Sequence, residues 1–200
     1  MSNKMKDTVR RIYTRGGDRG ETRLLSGETA PKDDLRVQTY GALDELQAHL
    51  GMARSLILED SVRSTIFDIQ QDVFTACSEL ASNPGGLSRL ERRIGPGDTV
   101  KLEGCIDAYA ASYGLPVGFV VPGRSPDSAA LHVARTVCRR CERLIVTLNG
   151  QVAVYDELVV YFNRLSDLLF VLAWAMEVMF VVENVVHQVI NHTSEKHYKE

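Results

Sequence analysis

The stretch 131–146, LHVARTVCRRCERLIV, constrains the fold more than any other part of this chain. Apolar or small residues recur at 130, 134, 137, 141, 144 and 148, which is the spacing of a helix with one buried face. Arg135, Arg139 and Glu142 follow at i, i+4 and i+7 and form a second line beside that face. Arginine keeps its charge and offers a planar fork of donors to phosphate or carboxylate. By itself the pattern leaves two alternatives open, a solvated basic face or an anion site.

The same apolar periodicity predicts an all-α chain of about five helices. Ser125 and Pro126 open the arginine-bearing helix, and Asn149-Gly150 is expected to end it. Residues 1–35 look irregular, and 119–121 look like a short strand. The helices are expected at about 35–58, 62–81, 98–113, 126–148 and 154 to beyond 182. We therefore predict one domain, with a loop over 1–35, a five-helix bundle over 36–180 and a tail over 181–200.

Composition excludes some classes of function. The formal net charge of −3 argues against a general nucleic-acid binder. The chain carries four cysteines and no apparent signal peptide, which indicates reduced thiols and a cytoplasmic location. The apolar run at 168–176 is bounded by charges and is too short to cross a bilayer, so no membrane is expected. Cys138 and Cys141 fall on the buried stripe and are predicted to pack as small hydrophobic residues, and no metal-ligand residues are assigned.

Polar residues at buried-looking positions need partners. Asp44 lies beside the apolar stripe of the first helix, and Asn163 and Asp167 are one turn apart in the apolar last helix. A short connection makes the last two helices antiparallel neighbours, so the arginines of the preceding helix are the expected partners. The N-terminal segment TRGGDRGET is dense in glycine, and such a loop can bring backbone N–H groups to an anion; a flexible arm is the alternative.

Together, these motifs resemble the ATP:cob(I)alamin adenosyltransferases of the propanediol-utilisation type. The resemblance covers roughly residues 12–176 and rests on TRGGDRGET, KDDLRVQTYGALDEL, FVVPG, LHVARTVCRRCER and YFNRLSD. It implies a five-helix bundle assembled as a homotrimer with ATP sites between subunits. It also implies transfer of the adenosyl group of ATP to the cobalt of cobalamin, release of triphosphate, and Mg²⁺ on the phosphates. A cobalamin reductase and an adenosylcobalamin-dependent enzyme are the implied protein partners. A non-catalytic ATP/corrinoid sensor or cofactor-delivery chaperone is the alternative.

The resemblance also implies individual roles. Arg139 is expected on the phosphates, and Phe119 above the corrinoid, where it helps to exclude the lower axial ligand. Arg135 and Asp44 are expected to meet across the subunit interface beside the corrinoid. Arg124 stands where the family usually has a glycine, and the tail beyond 176 is more apolar than the family pattern. The implied nucleotide-binding residues are Thr14, Gly16, Asp18, Gly20, Thr22, Lys32, Arg139, Arg140, Glu142, Asn163 and Asp167.

Overall fold

Five α-helices and one small β-hairpin form the architecture in a computed structural model, which describes residues 12–13 and 15–197, with side chains to 192. The predicted helical bundle is confirmed. A short 3₁₀ helix, Pro84–Arg89, follows the second α-helix. The other elements are β1 (Glu21–Arg23), β2 (Thr29–Pro31), α1 (Leu35–Leu56), α2 (Asp60–Leu80), α3 (Pro96–Tyr113), α4 (Pro126–Val152) and α5 (Asp156–His197).

The core lies around α4 and α5. Helix α4 packs against α1 and α5, α5 also packs against α3, and α1 packs against α2. Leu43, Leu46 and Leu50 of α1 are fully buried, as is Ile145 of α4. Each such side chain contributes about 1.5–3 kcal/mol of transfer free energy. The apolar stripes read from the sequence therefore form the bundle interior.

The bundle has two distinct ends. At the hairpin end, α2 finishes beside the hairpin and the start of α5, because Leu25 N donates to Ala81 O at 2.9 Å and Tyr155 Oη to Ser82 O at 3.5 Å. At the loop end, a cleft of ≈ 410 Å³ joins the end of α1, the start of α4 and α5 beyond 176. The segment 114–125 connects α3 to α4 at this loop end. Helix α1 has 22 residues, so the two ends are about 33 Å apart at 1.5 Å per residue.

The end of α4 differs from the sequence prediction. Asn149-Gly150 does not stop this helix, which continues to Val152. Ala153 takes a left-handed conformation, with φ 48°, and its N–H donates to Asn149 O at 2.7 Å. The Asn149 side chain instead organises the start of α5, since Oδ1 accepts from Tyr155 N at 2.8 Å and Nδ2 donates to Asp156 Oδ1 at 2.6 Å. Asn149 therefore stabilises the connection between α4 and α5 and does not end α4.

Two shorter segments also differ from the prediction. Residues 21–31, expected to be irregular, form the antiparallel hairpin β1–β2, in which Thr22 lies opposite Ala30. Its turn uses Gly27 at φ +89°, and Gly27 N donates to Leu24 O at 2.9 Å. Residues 119–121, expected to be a strand, lie in the irregular α3–α4 segment and pair with no other described strand.

Helix α5 is 42 residues long and changes character along its length. Leu165, Leu169 and Leu172 are fully buried, whereas residues from Phe180 to His192 are exposed. Among the described residues, the span Asp156–His192 is long and apolar enough to cross a membrane by length and composition alone, with 56% of its most apolar window buried inside the bundle. The first half of α5 is therefore the central core helix of the bundle, and the second half projects beyond it.

Candidate functional site

An open cleft of ≈ 720 Å³ lies between the glycine-rich N-terminal loop and the hairpin. Gly20 takes a left-handed conformation, with φ +83°, and its carbonyl accepts from Lys32 N at 2.8 Å. This bond fastens the loop to the end of β2, just before α1. The cleft is lined by Gly16, Gly17, Glu21, Thr22, Arg23, Thr29 and Lys32. Backbone, hydroxyl and cationic groups therefore converge in one open place.

The Lys32 ammonium group lies against the glycine loop. A Cβ placed on Gly17 would be 3.0 Å from Lys32 Nζ, 3.2 Å from Lys32 Cε and 3.3 Å from Glu21 O. Nine in ten real Cβ contacts are longer than these, so a side chain at position 17 would shift the ammonium group by a few tenths of an ångström. The absence of a side chain at Gly17 thus leaves room for the Lys32 charge beside the loop. A fixed cation beside a glycine loop is suited to bind phosphate oxygens.

The structure brings three of the six sequence-predicted loop residues into this cleft. Gly16, Thr22 and Lys32 line it directly. Gly20 supplies the carbonyl that holds Lys32, and Asp18 is exposed on the adjoining turn, with its N–H 3.4 Å from Arg15 O. Thr14, also assigned to the nucleotide, lies outside the described residues.

The arginine-bearing face of α4 carries a second group of predicted residues. Arg139 is exposed near the middle of the helix. Arg140 forms an ion pair with Glu45 of α1. Glu142 Oε1 accepts a hydrogen bond from Asn163 Nδ2 of α5 at 3.0 Å. Two predicted ATP-binding residues, Glu142 and Asn163, are therefore adjacent on neighbouring helices.

The partners of the polar residues in α5 differ from the expectation. Asn163 bonds to a carboxylate of α4 and not to an arginine. Asp167 Oδ2 accepts from Arg164 Nη1 at 3.2 Å, one turn earlier on the same helix. Arg164 also bonds to Glu103 of α3 at 2.9 Å. Among the described residues, Arg135 and Arg139 of α4 thus form no ion pair, because these carboxylates have other partners, whereas Arg140 is paired with Glu45.

Asp44 and Arg135 form no ion pair with each other within the described chain. Asp44 is exposed on α1, although it follows a buried leucine. Arg135 is half-buried on α4, and its Nε is buried without a hydrogen-bond partner in the described part of the chain. Their predicted meeting across a subunit interface stays a prediction, and an unpartnered guanidinium nitrogen is suited to it.

Phe119 projects from the segment 114–125 at the loop end. Its relative exposure is 107%, and Val117 and Val121 beside it reach 106% and 85%. Three adjoining apolar side chains in water form a surface of the kind that binds a ligand or another subunit. Gly118 and Gly123, at φ +96° and +113°, shape this segment.

A buried polar cluster near this end was missed in the sequence. Glu177 is 4% exposed, and its Oε1 accepts a hydrogen bond from Ser128 Oγ at 2.9 Å. His132 is also 4% exposed, and neither ring nitrogen has a partner among the described residues. Burial and the nearby Arg135 lower the pKa of His132, while Glu177 raises it in part. The signal was available, because Glu177 interrupts an otherwise apolar helix.

Cys138 and Cys141 pack in the core as predicted. Both are fully buried, and Cys138 Sγ donates to Phe162 O at 3.4 Å. Burial is the main cause that raises the pKa of the Cys138 thiol well above its usual range and that of Cys141 to about 12. Both are therefore protonated thiols that pack as small apolar side chains. Among the described residues, no three His, Cys, Asp or Glu side chains are grouped as a metal site would require.

The fold and the cleft define a class, a helical bundle with an open glycine-rich cleft that holds a lysine side chain. The family model for cobalamin adenosyltransferase matches residues 12–176. This chain belongs to the cobalamin adenosyltransferase family.

Similar proteins come from several bacteria. A corrinoid adenosyltransferase of Citrobacter freundii is 44% identical over 163 residues, which are 82% of this chain and 93% of the relative. The corrinoid adenosyltransferase PduO of Salmonella typhimurium is 38% identical over 178 residues, which are 89% of this chain but only 53% of that longer protein.

Solved structures of similar proteins have the same fold. A variant PduO-type ATP:corrinoid adenosyltransferase from Lactobacillus reuteri, complexed with cobalamin and ATP, superimposes with a TM-score of 0.77 at 34% identity, covering 84% of this chain and 93% of the other. A second variant of that enzyme, complexed with ATP, also gives a TM-score of 0.77, at 35% identity, covering 84% of this chain and 94% of the other.

Proposed function

We propose that this chain is an ATP:corrinoid adenosyltransferase that transfers the 5′-deoxyadenosyl group of ATP to the Co(I) centre of cobalamin. Its product is adenosylcobalamin, and triphosphate is released. The observation that carries the proposal is the Lys32 ammonium group held over the glycine loop in an open cleft. We infer the substrates from the matched family and from the cobalamin and ATP in the solved structure of a similar protein.

The chemistry is a displacement at carbon. The electron pair of Co(I) forms the cobalt–carbon bond to C5′, the C5′–oxygen bond breaks, and its electron pair leaves on the triphosphate. The protein aligns the two substrates and stabilises the negative charge of the leaving group. Lys32 in the cleft and the exposed Arg139 are the cations assigned to that charge. An external reductant, such as a cobalamin reductase, must supply Co(I), because the reaction itself consumes that electron pair.

Phe119 is assigned to the corrinoid. Its ring is fully exposed on a glycine-flanked segment, so it is free to cover one face of a flat macrocycle. Packing an apolar ring there would exclude water and the lower axial ligand of cobalt. Cobalt without that ligand is easier to reduce, which prepares the nucleophile.

A complete site requires more than one subunit. The cleft lies at the hairpin end and Phe119 at the loop end, and α1 separates these ends by about 33 Å. Because C5′ must contact cobalt, the cleft of one subunit has to face the loop end of another. We assign the unpaired Asp44 and Arg135 to this contact, in a homotrimer. Light scattering of the purified protein tests the assembly, and a monomer that retains full activity would exclude it.

Magnesium is assigned to the nucleotide rather than to a resident site. Mg²⁺ commonly binds through phosphate oxygens, waters and one or two carboxylates. Glu21 is the carboxylate that lines the cleft, so its side chain would supply the protein ligand. When bound, the ion would neutralise part of the triphosphate charge.

The decisive experiment is a turnover assay under reducing conditions. Adenosylcobalamin is followed by its spectrum and triphosphate by chromatography. Arg139→Ala is expected to abolish turnover without changing the melting temperature, because its side chain is exposed. Arg143→Ala is the matched control, an exposed arginine one turn further along α4, and should remain active. Near-normal turnover in Arg139→Ala would contradict the phosphate role.

The same assay distinguishes the alternative. ATP binding without triphosphate release would identify a sensor or a cofactor-delivery chaperone. A cytoplasmic location is part of the proposal, and the four cysteines support it because all are free thiols. Adenosylcobalamin would then pass to a dependent enzyme in the same compartment.

A further inference from the structure

One carboxylate in the hairpin joins two other parts of the fold. Glu28 lies just before β2, and its Oε1 accepts from Arg36 Nη1 in the second residue of α1 at 2.8 Å. Its other oxygen, Oε2, accepts from Asn83 Nδ2 at 3.3 Å. Asn83 in turn caps the 3₁₀ helix, because its Oδ1 accepts from Gly86 N at 2.8 Å. The hairpin is therefore connected by a single side chain to α1 and to the segment after α2.

The remaining attachment of the hairpin consists of one backbone hydrogen bond and two buried apolar side chains. Leu25 N donates to Ala81 O at 2.9 Å, and Leu24 and Ala30 are buried. A two-stranded hairpin of this size is not stable without support from the rest of the fold. The contacts of Glu28 thus provide a large part of the polar attachment of the strand that carries Thr29 and ends before Lys32.

We propose that Glu28 and Arg36 are positioning residues for the nucleotide cleft. The inference rests on the proposed function, since it concerns the same cleft. Glu28 touches neither wall of the cleft, whereas the next residue, Thr29, lines it. Because Glu28 and Arg36 are half-buried and paired, with side-chain exposures of 38% and 23%, they hold the hairpin in place as a neutral unit. A neutral anchor adds no negative charge that would repel a triphosphate.

Preorganisation of the cleft is the expected benefit. If the hairpin occupies its bound position only part of the time, the apparent dissociation constant rises by the inverse of that fraction. Loss of a half-buried charged hydrogen bond should reduce that fraction to about a tenth. The chemical step, once ATP is bound, should be unaffected. The signature is therefore a raised KM for ATP with an unchanged kcat.

The test uses Glu28→Ala, Arg36→Met and the double variant. Each single variant should raise the KM for ATP about tenfold, leaving kcat and the KM for cobalamin within about twofold. The double variant should be no worse than Glu28→Ala alone, because that change already removes the contact with Arg36. Arg63→Met is the control, since it breaks an exposed Arg–Asp pair of 3.2 Å on α2, away from the cleft.

A second measurement needs no ligand. Hydrogen exchange of the Leu24, Leu25 and Gly27 amides should be faster in Glu28→Ala, with the amides of α4 unchanged. Additive KM effects, a fall in kcat alone or unaltered exchange would overturn the inference. A wild-type protein that forms no adenosylcobalamin would instead overturn the proposed function, while the exchange result would still decide whether Glu28 anchors the hairpin.

Discussion

A methyl group on Gly17 should weaken ATP binding by displacing a cation one loop away. In Gly17→Ala, the new Cβ would lie 3.0 Å from Lys32 Nζ and 3.3 Å from Glu21 O. The carbonyl belongs to the backbone of the hairpin and moves little, whereas the lysine chain is flexible. The strain should therefore be relieved by a shift of the ammonium group by a few tenths of an ångström.

The magnitude is bounded by the contact that is weakened. A hydrogen bond to a charged group contributes about 1.5–3 kcal/mol. A shift of a few tenths of an ångström weakens this bond without removing it, so at about 1.4 kcal/mol for each tenfold change the KM for ATP should rise by about two- to tenfold. The fold should tolerate the change, because Gly17 is part of an exposed loop and not of the core.

The assay is steady-state formation of adenosylcobalamin at varied ATP concentration, with melting temperatures measured in parallel. Gly97→Ala is the matched control, since a Cβ there meets nothing within 4 Å. Lys32→Ala removes the whole contact and should raise the KM roughly ten- to a hundredfold, and adding Gly17→Ala to it should cause no further loss, because both changes act on the same contact. A normal KM in Gly17→Ala, or fully additive losses, would refute the reasoning.

Three further predictions concern other parts of the molecule. Glu79→Ala should lower the free energy of unfolding by about 3 kcal/mol in urea titrations. The change removes the buried carboxylate that accepts hydrogen bonds from Ile94 N at 2.6 Å and from Arg93 Nε at 3.0 Å. A loss below about 1 kcal/mol would contradict this prediction. The pKa of buried His132 is lowered, so below about pH 6.5 the unfolded chain binds a proton that the folded chain does not, and the free energy of unfolding should fall with decreasing pH. The urea midpoints at about pH 7.5 and 5.5 should therefore differ less in His132→Gln than in the wild type. Equal differences in the two proteins would contradict this prediction. Phe119→Ala should leave the melting temperature unchanged and impair cobalamin reduction far more than ATP binding, and equal loss of both would exclude its assigned role.

The helices could be predicted because their apolar stripes are long and regular. Leu43, Leu46 and Leu50 repeat at helical spacing and are fully buried. The hairpin could not, because strands of three residues are too short to show alternation, and their pairing depends on a turn at Gly27. The end of α4 was misplaced because Asn149 can cap either side of the connection, and tertiary contacts decide which.

For similar physical reasons, some residues of the candidate site could be predicted from the sequence and others could not. Gly16, Thr22 and Lys32 were found because a glycine-rich charged loop has a recognisable composition, and they line the cleft. The contact of Lys32 with Gly17 is a distance between residues fifteen positions apart, which no local pattern reveals. The bond from Ser128 to Glu177 likewise joins two helices distant in sequence.

The separation of the cleft from Phe119 along one chain has a genetic consequence. A chain that is defective only in the hairpin still carries an intact loop end, and a chain defective only at Phe119 still carries an intact hairpin. Mixed assemblies of two such inactive chains would unite the intact halves at some of their contacts. Co-expression of Lys32→Ala and Phe119→Ala chains should therefore restore part of the activity that each lacks alone, as in complementation between two alleles of one gene.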